Sequence, residues 1–330
     1  MFLEFYGLRE QPFGATPDPR FLYLSPQHRE ALASLYYGIE AGRGFMALIA
    51  KPGMGKTTLL FQLLERFRTS ARTAFLFQTQ CTSREFMRLL LAELGGENHG
   101  DDFVRTHEEF NKLLLQEARA KRGFIVVIDE AQNLDASVME TVRLLSDFET
   151  PRAKLLQIVL SGQPELADKL AGQRLMQFRQ RVSVLGRLTP LSVDETRKYI
   201  EYRLRMAGHS GASPFSAEAL LAIARFAEGI PRNINNFCFN ALSLGCALRQ
   251  PVIDPAIVEE VSKDLDIYQH VTEVRAPGGN SVHAVANRDF PGGVDTPYIP
   301  GNAVPDTLTP EEAKVYMRYL ALQLKDWKRN

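Results

Sequence analysis

Apolar positions in the first half of the chain alternate between two patterns. Short continuous runs such as "FMALIA" (Phe45–Ala50), "RTAFLFQT", "FIVVIDE" and "KLLQIVLSG" read as strands buried on both faces. Between them, "SPQHREALASLYYGIEAG", Lys56 to Thr69, "SREFMRLLLAEL", "THEEFNKLLLQEARAK" and "DASVMETVRLLSDF" carry helical spacing. Ser25 caps the first of these helices, Pro26 suits its first turn and Gly42 lies at its end. A more polar strand, "RVSVLGRL", closes the series. Strands alternating with helices predict an α/β fold, a parallel sheet with helices on both faces, over residues 1–188.

After "LTPLS" the strand signal vanishes, and helices at about 192–207, 216–227, 231–249 and 254–264 predict an all-α domain over 189–268. Gln269–Pro310 holds 11 Gly or Pro in 42 residues, which predicts a flexible linker over 269–308. Residues 309–330 read as a terminal helix, with Thr309 as cap, Pro310 at the first position and Glu312 at the third. Tyr316, Leu320, Leu324 and Trp327 stripe one face of it. That stripe fits docking on a protein partner, and it equally fits packing back on the same chain.

Composition adds constraints. Lys plus Arg and Asp plus Glu both total 39, so no global charge draws the chain to nucleic acid or anionic lipid. Three cysteines, Cys81, Cys238 and Cys246, form no C-x-x-C pair and read as free thiols. No run reaches the roughly 18 apolar residues of a membrane span. The N-terminus meets charge and proline too early for a signal peptide, so a cytoplasmic protein without a membrane span is expected.

Chemistry is concentrated at the carboxyl ends of the apolar runs. "AKPGMGKTT" (Ala50–Thr58) matches G-x-x-x-x-G-K-[ST] except at Ala50. Alanine is barred there only if φ is positive. Pro52, Gly53, Met54, Gly55, Lys56, Thr57 and Thr58 are therefore expected to cradle the phosphates of a nucleotide. Lys56 would face the β- and γ-phosphates and Thr57 would hold Mg²⁺. The strand before Asp129 and Glu130 delivers both acids to the edge where α/β sheets bind ligands. Asp129 is placed to hold Mg²⁺ through water and Glu130 to polarise an attacking water. Ser161 or Gln163, in "VLSGQPEL", contacts the γ-phosphate or that water; the alternative is that they cap the helix beginning near Pro164.

The window Arg174–Arg205 holds eight basic residues against three acids. Arg179 and Arg181, in "FRQRV", are candidates for a cation supplied to a neighbouring subunit's phosphate, and otherwise solvated or ion-paired surface residues. Arg232, in "GIPRNINNF", opens a helix where cationic charge opposes the dipole, which suits an anion in front of it; the alternative is a local salt bridge.

Taken in order, these elements resemble the AAA+ ATPases, and more narrowly the general secretion pathway protein A family, the ExeA-like ATPases. The narrow likeness rests on "FYGLREQPFGATPDPRFLYLSPQHREALASLYYGIE", "VVIDEAQNL", "VLSGQPEL", "FRQRV" and "GIPRNINNF", and spans roughly residues 1–265. The resemblance implies an AAA+ P-loop core with a helical lid, ATP and Mg²⁺ as cofactors, and a ring or filament of identical chains. It implies Lys56 and Thr57 as phosphate-loop residues and Asp129 and Glu130 as metal-binding and catalytic acids. Ser161 or Gln163 would be the first sensor, Arg232 the second sensor on the lid, and Arg179 or Arg181 the trans-acting finger. His28, Arg29 and Glu30 would lie near the nucleotide base. Secretion members carry a membrane span and a peptidoglycan-binding domain after the ATPase, where this chain has a linker and a short helix. Related ATPases that bind DNA and select targets for transposition use a similar core, so DNA is the alternative partner. The basic window is the sequence feature that favours it.

Overall fold

A computed structural model describes residues 2–16, 18–77, 80–97, 100, 102–150 and 153–273. The terminal helix expected at 309–330, and the expected linker after residue 273, lie outside the described residues. A short helix α1 (Phe2–Phe5) and a 3₁₀ turn (Pro19–Phe21) precede α2 (Pro26–Glu40). The start of α2 follows from its sequence: Ser25 Oγ accepts the His28 N–H, and Pro26 occupies the first turn, where its missing donor costs nothing. There follow β1 (Phe45–Ala50), α3 (Lys56–Glu65), β2 (Ala71–Leu76), α4 (Ser83–Glu93), α5 (Phe103–Arg119) and β3 (Gly123–Ile128). Next come α6 (Ala136–Leu145), a small antiparallel pair β4 (Glu149–Thr150) and β5 (Ala153–Lys154), then β6 (Gln157–Gly162), α7 (Pro164–Ala171), α8 (Met176–Arg179) and β7 (Val182–Leu188). The helical part consists of α9 (Val193–Met206), α10 (Ala217–Phe226), α11 (Pro231–Ala247) and α12 (Pro255–Glu273). This last helix runs past its expected end at 264 into the stretch read as linker, because no Gly or Pro interrupts the chain before Pro277.

Five strands form one sheet in the order β2-β3-β6-β1-β7, and every neighbouring pair is parallel. All six residues of β1 are buried, as a strand covered on both faces requires. Phe45, Ala47 and Ile49 point into the core under α4, α5, α6 and α7, whereas Met46, Leu48 and Ala50 join the one under α2 and α3. The chain leaves β1 for β2 across β3 and β6, and later returns from β6 to β7 across β1. That reversal opens a crevice beyond the carboxyl ends of β1 and β6.

The helical part has its own core, built on Leu191, Tyr199, Ile200, Ile223, Ile234, Phe237 and Leu242. Tyr6, Leu8, Phe13 and Phe21 are buried in this core and not against the sheet. The boundary expected at 188, which grouped the N-terminal segment with the sheet, therefore divides the side chains differently from the structure. These apolar residues follow neither a 2- nor a 3.6-residue period, so their spacing carries no sign of which core receives them.

Candidate nucleotide-binding site

Ala50 ends β1 and is not among the residues with positive φ, so the turn out of the strand tolerates its Cβ. Left-handed backbone is instead required at Gly53 (φ 76°) and Gly55 (φ 85°), which bend the loop round and open α3. No side chain caps the N-terminus of α3, leaving its first amides directed at the loop's mouth. Lys56 is buried, with its Nζ 3.3 Å from the Ala50 carbonyl and 3.9 Å from Glu130 Oε1. The Thr57 hydroxyl donates to Asp129 Oδ2 at 2.7 Å, although 72 residues separate them. Pro52 is exposed, Thr58 is half-buried, and Met54 is fully buried beneath the loop.

His28 reaches the loop from behind. Its Nε2 lies 3.1 Å from the Met54 carbonyl and its Nδ1 2.7 Å from Ser25 Oγ. A neutral ring satisfies both contacts, donating to Met54 and accepting from Ser25. Burial pushes the imidazole below its ordinary value, against the smaller upward pull of the Met54 carbonyl. Arg29 and Glu30 are exposed, and Arg29 donates to the Leu24 carbonyl.

Beyond β3, Asp129 is buried and uses its second oxygen, Oδ1, to accept the Glu130 N–H at 3.0 Å. Glu130 itself adopts φ 50°, ψ 38°, a left-handed conformation that costs a non-glycine residue about 1–3 kcal/mol. Its Oε2 accepts from Gln163 Nε2 at 3.0 Å and Gln132 Nε2 at 2.5 Å. Burial works to raise the Glu130 carboxyl; the Gln163 and Gln132 amides, with the charges of Lys56 and Arg232, outweigh it and hold the group below its ordinary value. Gln163 sits at the N-terminus of α7 without a side-chain capping bond, so the helix-cap alternative does not describe it. Ser161 faces the α3 side of the sheet by alternation with Val159, and its fully buried Oγ has no hydrogen-bond partner among the described residues. Gln132 went unassigned in the sequence. Its signal was an amide two residues past the acidic pair.

From the helical part, the Arg232 N–H donates to the Gly53 carbonyl at 3.1 Å, docking the start of α11 on the loop. The Arg232 side chain is exposed and makes no ion pair among the described residues, so a local salt bridge does not account for it. Arg181 is engaged within its own chain, donating to Ser146 Oγ at 2.6 Å and pairing with Asp147. Arg179 is exposed without an ion pair among the described residues. Much of the basic window dissolves in the same way. Arg197 and Lys198 pair with Asp194, and Arg203 is buried against the Pro12 carbonyl and the Phe21 ring.

The donor set fits a nucleotide and a divalent cation. Orphan amides, a buried lysine, a hydroxyl–carboxylate pair and an unpartnered serine converge on one crevice. Comparison with known proteins supports the nucleotide part of this reading. Residues 39–170 match the family model described as "AAA domain". The chain carries an AAA domain. The chain is 39% identical over 250 residues to general secretion pathway protein A of Aeromonas hydrophila, covering 73% of this chain and 44% of that protein. The chain thus spans less than half the length of that relative, and the likeness read from the motifs holds over most of its own. Among solved structures, Drosophila ORC bound to DNA superposes with TM-score 0.61 at 17% identity, over 83% of this chain and 69% of that one. Cdc6p from Pyrobaculum aerophilum gives 0.59 at 19%, over 76% and 71%. At such identities the likeness is one of fold, the AAA+ P-loop core with helical lid. Among the described residues no helix is long and apolar enough to cross a membrane.

Proposed function

We propose that this chain binds ATP with Mg²⁺ at the carboxyl edge of its sheet, hydrolyses it, and assembles with copies of itself to recruit or regulate a partner. The observation that carries the reading is the 2.7 Å hydrogen bond from Thr57 to Asp129, which joins the phosphate loop to the acidic pair in one crevice. Lys56 would neutralise phosphate charge, and the first amides of α3 would hold the same oxygens. Thr57 and Asp129 are the residues that would hold Mg²⁺, which when bound supplies charge neutralisation between the β- and γ-phosphates. Glu130 would orient the attacking water and take up its proton, with its carboxylate already ionised at neutral pH. Ser161 and Gln163 would report the γ-phosphate to the sheet, and Arg232 would report it to the lid.

A site completed by a neighbour's arginine needs an uncommitted guanidinium, and of the two candidates Arg179 is the one without an ion pair among the described residues. This favours Arg179 as the group supplied in trans. Glu130→Gln is expected to abolish ATP turnover while ATP still binds; turnover at the wild-type rate would overturn the role given to Glu130. The rival reading, a DNA-binding regulator that selects targets for transposition, loses two charges of the basic window, Arg181 to its pair with Asp147 and Arg203 to burial.

A further inference from the structure

Gln132 contacts three residues, Glu130, Gln163 and Lys169, through three different atoms. Its Nε2 donates to Glu130 Oε2 at 2.5 Å, and its Oε1 accepts the Gln163 N–H at 3.1 Å. Its backbone carbonyl accepts from Lys169 Nζ at 2.9 Å, which ties the turn after β3 to α7. The amide lies directly on β6: a Cβ on Gly162 would sit 2.8 Å from Gln132 Oε1. Because Oε1 must accept and Nε2 must donate, the orientation of the amide is fixed by its partners at both ends. Gln163 supplies the second donor to the same Glu130 oxygen at 3.0 Å, and Gln132 fixes the backbone of Gln163. One carboxylate oxygen is therefore gripped by two amides, while the other, Oε1, faces Lys56 Nζ at 3.9 Å.

We propose that Gln132 is a positioning residue for the ATPase reaction, holding Glu130 and Gln163 in mutual register so that Glu130 presents Oε1 to the attacking water. The inference rests on the reading of Glu130 as the group that activates water. Two amide donors on one oxygen restrict rotation of the carboxylate about its Cγ–Cδ bond, which removes unproductive orientations before ATP arrives. Among the described residues no hydrogen bond joins Gln132 to the phosphate loop, so nucleotide affinity is expected to be independent of it.

The test compares wild type, Glu130→Gln, Gln132→Met and Gln132→Asn in steady-state ATP hydrolysis, with ATP affinity measured by fluorescent-nucleotide competition. Gln132→Met keeps the volume and loses both amide functions; it should lower kcat at least tenfold and leave ATP affinity within twofold. Gln132→Asn keeps an amide on a shorter stem and should recover part of the rate. Normal turnover by Gln132→Met beside a dead Glu130→Gln would overturn the positioning role alone. Normal turnover by Glu130→Gln would overturn both readings. A second measurement needs no Gln132 variant: the side-chain amide protons of Gln132, followed by NMR in the folded wild type and in Glu130→Gln, should move upfield when the carboxylate is replaced. An unchanged Gln132 resonance would show that the contact is not made and would overturn the proposal.

Discussion

Replacing Gly53 by Ala tests whether the phosphate loop and the lid are coupled through backbone geometry. A Cβ at this position would lie 2.8 Å from Arg232 Cβ and 3.1 Å from Ile230 Cγ2, both at the start of α11. The residue also holds φ 76°, which costs an L-residue about 1–2 kcal/mol. Relief requires either the loop to leave its left-handed turn or the lid to retreat, breaking the bond from the Arg232 N–H to the Gly53 carbonyl. That bond is worth about 1 kcal/mol. ATP must restore the cradle to bind, so about 2–3 kcal/mol is charged to affinity, roughly a 30- to 150-fold rise in Kd. Gly42→Ala is the control, because Gly42 has a similar φ of 64° and nothing within 4 Å of its Cβ position. It should lower Tm without changing ATP affinity. Fluorescent-nucleotide titration of both variants, with thermal melts, reads the two effects separately. Gly53→Ala binding ATP within twofold of wild type would refute the reasoning, as would an equal affinity loss in Gly42→Ala.

Three further outcomes are expected. Arg179→Ala should lose turnover alone and regain part of it when mixed with Glu130→Gln chains, whereas Arg181→Ala should lower stability through the lost Asp147 contact and keep its turnover per folded molecule. Turnover measured across mixing ratios distinguishes these, and a wild-type rate for Arg179→Ala would remove it as the finger. Glu117→Gln should destabilise the fold on the order of 1 kcal/mol, a modest figure because Arg72 and Arg122 keep much of their hydration. The Arg122 hydrogen bond, opposed by burial and aided by the charges of both arginines, holds the Glu117 carboxyl below its ordinary value. Its contribution is therefore present above the unfolded value near ~4.3 and is lost as pH falls through the lower folded value, so the Tm gap to wild type should close in acid. Phe21→Ala should cost about 3 kcal/mol and reduce hydrogen-exchange protection in α9–α11 before β1–β3, reflecting its place in the helical core.

Sequence patterns revealed what is local. β1, β3 and β6 announced themselves because a strand covered on both faces loses its alternation and becomes a continuous apolar run. Gly53, Gly55, Lys56 and Thr57 could be read together because the expected phosphate loop is contiguous in sequence. Contacts created by the approach of distant elements were not. The amide of Gln132 has a partner only because β3 and β6 are neighbours in the sheet. Five excess charges in a 32-residue window suggested a basic surface, yet Arg181 meets Asp147 from the end of α6 and Arg203 meets the carbonyl of Pro12, 191 residues away. A pattern along one segment contains no term for either. The pair β4–β5 escaped because two-residue strands are too short to show a period.

The N-terminal segment joins the helical part to the sheet. Leu22 is extended (φ −71°, ψ 107°), and successive side chains on such a backbone face opposite ways. Leu22 and Leu24 pack into the core under α2 and α3, whereas Tyr23 packs into the helical core, against Tyr199 and Tyr202. Residues 22–24 therefore stitch the two cores together a few residues before His28 reaches the Met54 carbonyl. A second covalent link runs from β7 to α9, where the Leu191 N–H donates to the Gly229 carbonyl. Between these links the start of α11 contacts the loop at Gly53. Two chain crossings and one backbone hydrogen bond therefore tie the helical part to the loop. At this contact Arg232 brings its backbone N–H to the Gly53 carbonyl and its Cβ close over the Gly53 Cα, while its side chain stays exposed.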